Sequence, residues 1–168
     1  NQAHTTLSED KLVFALCRGG WPWSLLVKEK DKQLKVAKNY FNDIFTKDIK
    51  NCDEFNAKSS IMKKVLHSYA RNISSLATKK TLYDDVGIDD ETLDSYLELL
   101  KNLYIVEEME PWPTSLRSKH AMRCGMKREF VDPSIAVAAL NATPNILLKD
   151  RKTLGLIFET LCIRDLRV

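Results

Sequence analysis

Residues 78–109, TKKTLYDDVGIDDETLDSYLELLKNLYIVEEM, decide the fold of this chain. The segment 81–86 predicts a short helix, and Gly87 is the residue type that commonly ends one. The pair Asp89-Asp90 offers the cap of a second helix, and residues 103–109 are rich in strand-forming side chains. The apolar positions of the second helix recur at three- and four-residue spacing: Leu93, Tyr96, Leu97 and Leu100. Two helices that meet at a glycine turn and lead into a strand predict the helix-turn-helix of a winged-helix unit.

Helical periodicity continues toward the N-terminus. Apolar residues at three- and four-residue spacing predict long helices over residues 31–50 and 53–72. A shorter apolar helix is predicted over residues 11–18, and Gly19-Gly20 ends it. This part of the chain is therefore predicted to be helical apart from its turns.

Two local motifs flank the first predicted helix. Thr6-x-x-Glu9 matches a capping box at its start. After its end, the residues Trp21-Pro22-Trp23 predict a stiff aromatic turn that a hydrophobic contact holds against the core. We interpret four aromatic residues as buried anchors rather than ligand contacts: Trp21, Trp23, Trp112 and Phe158.

The C-terminal third begins with a basic segment. Residues 111–126 contain two prolines, a glycine and clustered bases, a pattern that favours an exposed wing or linker. A strand is predicted at 129–131, Asp132-Pro133 predicts the cap and first turn of a helix, and a last helix is predicted over 152–167. We therefore expect a mainly α fold: a helical bundle with a winged helix-turn-helix unit and a truncated α/β element at the C-terminal end.

The composition argues against several classes of protein. The 168 residues carry 26 basic and 23 acidic side chains, and the net charge of +3 is too small to indicate nucleic acid by itself. No apolar run reaches the roughly 20 residues that span a bilayer, so no membrane association is expected. The five glycines form no phosphate-binding motif of the Walker or dinucleotide type. The four scattered cysteines are expected to be reduced thiols of a cytoplasmic protein rather than zinc ligands.

The charge of the helix after Gly87 argues against sequence-specific reading of DNA. This helix has one lysine and five acids: Lys101 with Asp89, Asp90, Glu91, Asp94 and Glu98. A polyanion would repel such a surface. Nonspecific contact with phosphates stays open, because a basic cluster follows Trp112. The candidate contact residues are Arg117, Lys119, Arg123, Lys127 and Arg128.

A nuclease site is the remaining catalytic hypothesis. A metal-dependent nuclease needs two or three carboxylates around a divalent cation. Glu159 is the candidate, and Asp165 lies six residues later in the same predicted helix. Six residues place the two carboxylates on poorly matched faces, so they are not expected to share a metal. The structural alternative is an ion pair of Glu159 with a nearby arginine.

Several motifs of the chain follow one another in a defined order: Gly19-Gly20-Trp21-Pro22, Leu97-x-x-Leu100, Pro111-Trp112, Lys127-Arg128-x-Phe130-Val131-Asp132-Pro133 and Gly155-x-x-Phe158-Glu159. In this order the chain resembles prokaryotic AAA-family predicted ATPases, and more narrowly their C-terminal domain of unknown function 4143. The resemblance implies a winged-helix segment and then the start of a fold similar to restriction endonucleases. Glu159 matches the glutamate of the first helix of that endonuclease-like unit.

The resemblance also implies an organisation and a function. It implies an ATPase core upstream, which uses ATP and Mg²⁺, so the chain is expected to be a fragment that holds no cofactor itself. Residues 1–51 are expected to form a helical lid- or linker-like segment and residues 52–112 a winged-helix-like unit. Residues 113–168 are expected to form the basic wing or linker and the start of the endonuclease-like domain.

The expected function is that of a non-catalytic segment of a cytoplasmic AAA-type ATPase, which couples the ATPase to an effector through the winged-helix module. The expected partner is its own ATPase domain or another protein. Two alternatives stay open. One is a nucleic-acid-binding module that contacts phosphates through residues 117–128, and the other is an incomplete nuclease-like domain centred on Glu159.

Overall fold

The structure, a computed structural model, describes residues 6–45, 58–110 and 125–167. The helices in these ranges are α1 (Glu9–Arg18), α2 (Pro22–Leu26), α3 (Lys30–Asp43), α4 (Ser59–Arg71), α5 (Lys79–Val86), α6 (Asp90–Asn102), α7 (Pro133–Ala139), α8 (Pro144–Lys149) and α9 (Arg151–Leu166). The strands are β1 (Val106–Met109) and β2 (Lys127–Phe130). The prediction of a mainly α fold is confirmed.

The start of α1 corrects one local prediction. Ser8 caps the helix, because its hydroxyl accepts a hydrogen bond from the backbone N–H of Lys11 at 3.4 Å. Ser8 has the extended backbone of an N-cap residue and directly precedes Glu9, the first helical residue. The predicted capping box of Thr6 and Glu9 is therefore wrong, since Ser8 already supplies the capping oxygen.

The aromatic segment after α1 is helical rather than a turn. Pro22 is the first residue of α2, where its fixed φ and missing N–H suit a helix start. Trp23 in this helix is 67% exposed, and Phe158 in α9 is 40% exposed, so both were wrongly predicted as buried anchors. The apolar residues of α9 are spread around its circumference, so packing buries only some of them. Trp21 is half-buried, and Trp112 lies outside the described residues.

The two predicted long helices form within the described residues. Helix α3 ends at Asp43 and α4 begins at Ser59, while residues 46–57 of the predicted helices lie outside the described part of the chain. Helix α9 agrees with the predicted last helix. Helix α8 was missed, although Thr143 caps it and Pro144 opens it, the same signals that predicted α7.

The central unit, which comprises α5, α6 and the strands that follow, has its two helices and first strand where the segment 78–109 predicts them. Gly87 ends α5 with φ of +77° in the left-handed region, and the Asp89 carboxylate caps α6 by accepting the N–H of Thr92 at 2.7 Å. The predicted inner face of α6 is buried. Strands β1 and β2 pair antiparallel, with Val106 opposite Phe130. Together with α4, these elements enclose the larger hydrophobic core.

A second core joins the two ends of the chain. Val13, Leu16 and Cys17 of α1 pack with one buried residue each from α7, α8 and α9: Val137, Leu147 and Ile157. Burial raises the pKa of the Cys17 thiol to about 12, as expected of an inert core cysteine. Helix α7 contributes to both cores, so it is the common support of the N-terminal helices and the central unit.

Candidate functional site

The predicted phosphate-contacting residues are only partly within the described chain. Arg117, Lys119 and Arg123 lie outside it. Lys127 begins β2, and its ammonium forms an ion pair with the carboxylate of Glu159 in α9. Arg128 is 6% exposed. The structure therefore brings Lys127 to the predicted nuclease residue and places Arg128 inside the protein.

The surroundings of Arg128 correct its predicted role. Its Nη1 donates a hydrogen bond to the backbone oxygen of Ala77 at 2.8 Å. Its Nε lies 3.3 Å from Oε1 of Glu108, so the charge is compensated within the protein. Because Lys127 and Arg128 are neighbours in a strand, their side chains point to opposite faces of the sheet. Arg128 is thus a structural ion-pair partner and is no longer a candidate for phosphate contact.

The carboxylates of α9 are arranged as ion pairs. Glu159 pairs with Lys127, where the sequence suggested an arginine, and Asp165 pairs with Arg164 at 2.9 Å. Within residues 6–45, 58–110 and 125–167, no three histidine, cysteine or acidic side chains are grouped so that they could hold a metal ion. The nuclease interpretation of Glu159 stays a prediction, without a second metal ligand beside it in this part of the chain.

The outer face of α6 is acidic, as the sequence indicates. Asp90 and Asp94 are exposed and share the ammonium of Lys79, at 2.8 and 2.6 Å. Glu91 and Glu98 are also exposed on this helix. Helix α6 therefore presents negative charge to solvent.

The most densely hydrogen-bonded polar group joins two motifs that are far apart in sequence. Asp132 Oδ2 accepts the backbone N–H of Gly20 at 2.9 Å and Nη1 of Arg164 at 2.7 Å. Its Oδ1 accepts the backbone N–H and hydroxyl of Ser134, at 2.9 and 2.6 Å. The Ser134 hydroxyl in turn accepts the indole Nε1–H of Trp21 at 2.8 Å. We call Gly20, Trp21, Asp132, Ser134 and Arg164 the Asp132 cluster. It ties α1, α7 and α9 together.

Gly19 is required beside the Asp132 cluster. Its φ is +75°, and a Cβ there would lie 2.3 Å from Oγ of Ser134 and 2.5 Å from Oδ1 of Asp132. Both the backbone conformation and the space therefore exclude a side chain. The sequence motif Gly19-Gly20-Trp21-Pro22 is explained by this close approach of α1 to the start of α7.

A second buried carboxylate, that of Glu129, directly precedes Phe130 in β2. Glu129 is fully buried and accepts hydrogen bonds from the hydroxyls of Ser74 and Thr160, each at 2.7 Å. Burial raises the pKa of the Glu129 carboxyl above its ordinary value, while the two hydroxyl hydrogen bonds oppose the shift. Ser74 has a left-handed backbone, with φ of +52°, and its N–H donates to the Arg128 carbonyl. Since Ser74 is 6% exposed, substrates cannot reach this group, and we interpret it as structural.

An exposed apolar surface begins directly after the Asp132 cluster. Trp23, Leu25 and Leu26 of α2 are 67%, 57% and 75% exposed, and we call them the α2 patch. The groove between α2 and α3 beside the patch has a volume of about 820 Å³. Trp23, Leu26, Tyr40 and three lysines line it: Lys28, Lys32 and Lys35. Sequence analysis missed this surface because it predicted Trp23 as buried.

A basic pocket between α3, α4 and the end of α7 was also missed. Its volume is about 510 Å³, and its charged lining includes Lys38, Lys64, His67 and Arg71. The spacing of Lys64, His67 and Arg71 along α4 places them on one face and could have indicated a basic surface. Lys38 comes from another helix, so the pocket itself depends on tertiary packing.

No described helix combines the length and the apolarity that crossing a membrane requires.

Comparison with the curated proteins and with the solved structures finds no match. A family model described as "Domain of unknown function (DUF8612)" matches residues 9–146, which include α1 to α7 and both strands. The matched region contains Gly19, Gly20, Trp21, Asp132 and Ser134, so most of the Asp132 cluster lies within it. The chain belongs to this family, the domain of unknown function DUF8612.

Proposed function

We propose that this chain is a non-catalytic coupling module of a prokaryotic AAA-type ATPase, as the resemblance of its motifs implies. Helices α1 to α3 would receive the ATPase domain or another protein, and the unit of α4–α6 with β1 and β2 would meet the effector. The observation that carries the proposal is the Asp132 cluster, because it connects an exposed binding surface rigidly to the centre of the molecule.

The connection is short and well packed. The α2 patch begins two residues after Trp21, whose indole donates to Ser134 and whose ring lies 4.5 Å from the ring of Tyr40 in α3. Ser134 belongs to α7, which follows β2 through Asp132. A displacement of α2 would therefore reach the two-stranded sheet through hydrogen bonds and packed rings rather than through a loose linker.

The α2 patch has the chemistry of a protein interface. Tryptophan is enriched in protein interfaces relative to other surfaces, and the two exposed leucines beside Trp23 extend its apolar area. Three lysines and two acidic residues, Glu29 and Asp43, line the neighbouring groove, and Glu29 is paired with Lys32 at 2.7 Å. The groove thus has a small excess of positive charge, which favours a partner helix that carries apolar residues on one face and acidic residues at its edge.

The effector side is the unit that resembles a winged helix. Helices α4, α5 and α6 precede β1, and residues 110–126 connect β1 to β2, which is the order of a winged helix. The acidic outer face of α6 disfavours a nucleic acid and favours a protein as the effector.

The test uses the ATPase that is encoded with this chain, in the same polypeptide or beside it. Phosphate release from ATP is measured with the wild-type chain and with the double variant Trp23→Ala, Leu26→Ser. We expect the double variant to change the hydrolysis rate at least several-fold. The matched control is Leu76→Ser, since Leu76 is 88% exposed and lies outside the groove. An unchanged rate in the double variant, or a locus without an ATPase, would contradict the proposal.

Nucleic-acid binding is the second candidate function. The connection between β1 and β2 carries Arg117, Lys119 and Arg123, at the sequence position of a wing. Filter binding to duplex DNA at two salt concentrations measures it, because phosphate contacts make affinity fall steeply with salt. Reversal of these three residues to glutamate should abolish binding, and unchanged binding in that variant would exclude the hypothesis.

A further inference from the structure

We propose that the basic pocket between α3, α4 and the end of α7 binds a phosphate monoester of nucleotide size. Its volume of about 510 Å³ lies within the range of small-molecule sites, which is roughly 300–1,000 Å³. The site is independent of the coupling function and uses none of the residues of the Asp132 cluster or the α2 patch.

The charge of the lining selects an anion. Four permanent cations line the pocket, against one carboxylate: Lys38, Lys63, Lys64 and Arg71 against Asp85. Asp85 lies at one side, where it accepts the hydroxyl of Ser68 at 2.8 Å and contacts Arg71 at 3.4 Å. The single carboxylate is thus held by Ser68 and Arg71, and the three lysines keep their charge for a ligand.

None of the three lysines pairs with a carboxylate in the described part of the chain. Lys38 donates to the neutral amide oxygen of Asn141 at 3.2 Å. Lys63 lies over the ring of Phe45, 5.2 Å from its centroid. Lys64 is exposed, and no hydrogen bond or ion pair joins it to a described residue. Lysines that line one pocket without a carboxylate partner repel one another, so an anion that binds among them also relieves this repulsion.

His67 adds a directed polar atom to the site. Its Nδ1 lies 3.1 Å from the backbone oxygen of Ala139, and because a carbonyl oxygen only accepts, Nδ1 carries the proton in this contact. The bond fixes the imidazole against the end of α7, and in a neutral imidazole Nε2 is then an acceptor that a hydroxyl group of the ligand can reach. Along α4, Lys63, His67 and Arg71 follow at four-residue spacing, about 6 Å apart. The cations Lys63 and Arg71 therefore lie on the same side of α4 as His67, one turn before it and one turn after it.

The floor of the pocket gives room for the organic part of the ligand. Phe41, Ala138 and Ala139 line it beside the cations. The two alanines carry the smallest apolar side chains, so the space at the end of α7 remains open. An apolar floor beside a cationic rim suits a phosphorylated sugar or nucleoside better than inorganic phosphate alone. The compact pocket also suits a small molecule better than an extended strand.

Titration calorimetry tests the proposal with two phosphate monoesters, adenosine 5′-monophosphate and ribose 5-phosphate. We expect at least one to bind saturably with a Kd below about 1 mM, and adenosine without its phosphate not to bind. Lys38→Glu and Lys64→Glu should each weaken binding about tenfold or more, because each replaces a favourable charge by a repulsive one. Backbone NMR shifts should change at Ala138 and Ala139.

The matched control is Lys35→Glu. Lys35 is exposed on the same helix as Lys38 and carries the same charge, but it does not line this pocket. Its reversal should leave the Kd unchanged within about twofold, and thermal unfolding of all three variants checks that each folds. The proposal would be overturned if Lys35→Glu weakened monoester binding as much as the pocket variants, or if adenosine bound as tightly as the monoesters. Binding of a single-stranded oligonucleotide but of neither monoester would also overturn it. Absence of binding by both monoesters would do the same.

Discussion

Two buried carboxylates, Glu129 and Asp132, stand three residues apart in sequence and are stabilised in different ways. Asp132 accepts two backbone N–H groups, a hydroxyl and the guanidinium of Arg164. Glu129 accepts only the hydroxyls of Ser74 and Thr160. Asp132 therefore has a cation and fixed backbone donors, whereas Glu129 has only neutral, rotatable donors.

The two carboxyl groups therefore differ in how well the folded protein stabilises the charged form: Asp132 has a cationic partner, whereas burial opposes the ionisation of Glu129. A buried charge is stable when a partner charge and hydrogen bonds replace its lost water, as at Asp132. At Glu129 the desolvation outweighs the hydroxyl hydrogen bonds, and the pKa of its carboxyl rises. The same strand end thus holds one carboxylate whose charge stabilises the fold and one whose charge opposes it.

The largest effect is expected at Gly19, where the Asp132 cluster leaves no space for a side chain. Gly19→Ala places a Cβ against Ser134 and Asp132 and strains a backbone conformation that only glycine adopts easily. The two contributions together should lower the free energy of unfolding by about 4 kcal/mol. Urea denaturation followed by circular dichroism measures the change.

Gly87→Ala measures the cost of the backbone conformation without the steric contact that an added Cβ makes at Gly19. Gly87 also has a positive φ, of +77°, but a Cβ there meets no atom within 4 Å. We expect this variant to lose only about 1–2 kcal/mol, the cost of the left-handed backbone alone. Equal losses at Gly19 and Gly87 would mean that the cluster can move away from the added methyl group.

The next effect is the removal of the carboxylate itself. Asp132→Ala should lower the free energy of unfolding by about 3 kcal/mol, because it removes the cap of α7 and leaves the partly buried Arg164 without one of its two carboxylate partners. The matched control is Asp150→Ala in the exposed cap of α9, where the carboxylate accepts the N–H of Thr153 at 3.1 Å. That loss should be clearly smaller than the loss in Asp132→Ala, because Asp150 is exposed to solvent. Equal losses would show that Asp132 is no more than a helix cap.

The sequence predicted the elements whose signals are local. Gly87 in the left-handed conformation, the Asp89 cap and the apolar spacing of α6 all act within a few residues, and all were confirmed. The same reasoning noted Gly19-Gly20 and Asp132-Pro133 as separate motifs. Their hydrogen bond joins residues 112 positions apart, so only the folded chain reveals that they form one cluster.

The errors of the sequence analysis have physical reasons as well. Trp23 was predicted as buried from its residue type, but the first turn after Pro22 directs α2 outward. Arg128 was grouped with Lys127 as one basic patch, although alternation along a strand places only one of two neighbours on a given face. The basic pocket forms where three helices meet, and no pattern within one segment of the sequence predicts that meeting.

Replacing Glu129 by an uncharged residue tests the contrast between the two buried carboxylates. Since its folded pKa is raised, the stability that it contributes is fully present below its ordinary value of 4.5 and is lost as the pH rises through the folded pKa. Glu129→Gln should abolish this loss, with a slope of at most about 1.4 kcal/mol per pH unit, and should change the stability at pH 7 by less than about 1 kcal/mol. Urea denaturation of both proteins from pH 4 to 8 measures the difference. A loss at pH 7 as large as that of Asp132→Ala would contradict the distinction between the two carboxylates.

The smallest effect is expected at Glu159, whose charge raises the pKa of Glu129. Glu159→Gln breaks the half-exposed pair with Lys127 and should cost less than about 0.5 kcal/mol. It should also lower the pKa of Glu129, which an NMR titration of the Glu129 side-chain carbon measures directly. Glu9→Gln is the control, because it breaks the exposed pair with Arg151 and its charge is not a cause of the Glu129 shift. An equal displacement of the Glu129 titration in both variants would trace it to net charge. A displacement in Glu159→Gln alone would show that the charge of Glu159 adds to the rise in the pKa of Glu129 that burial causes.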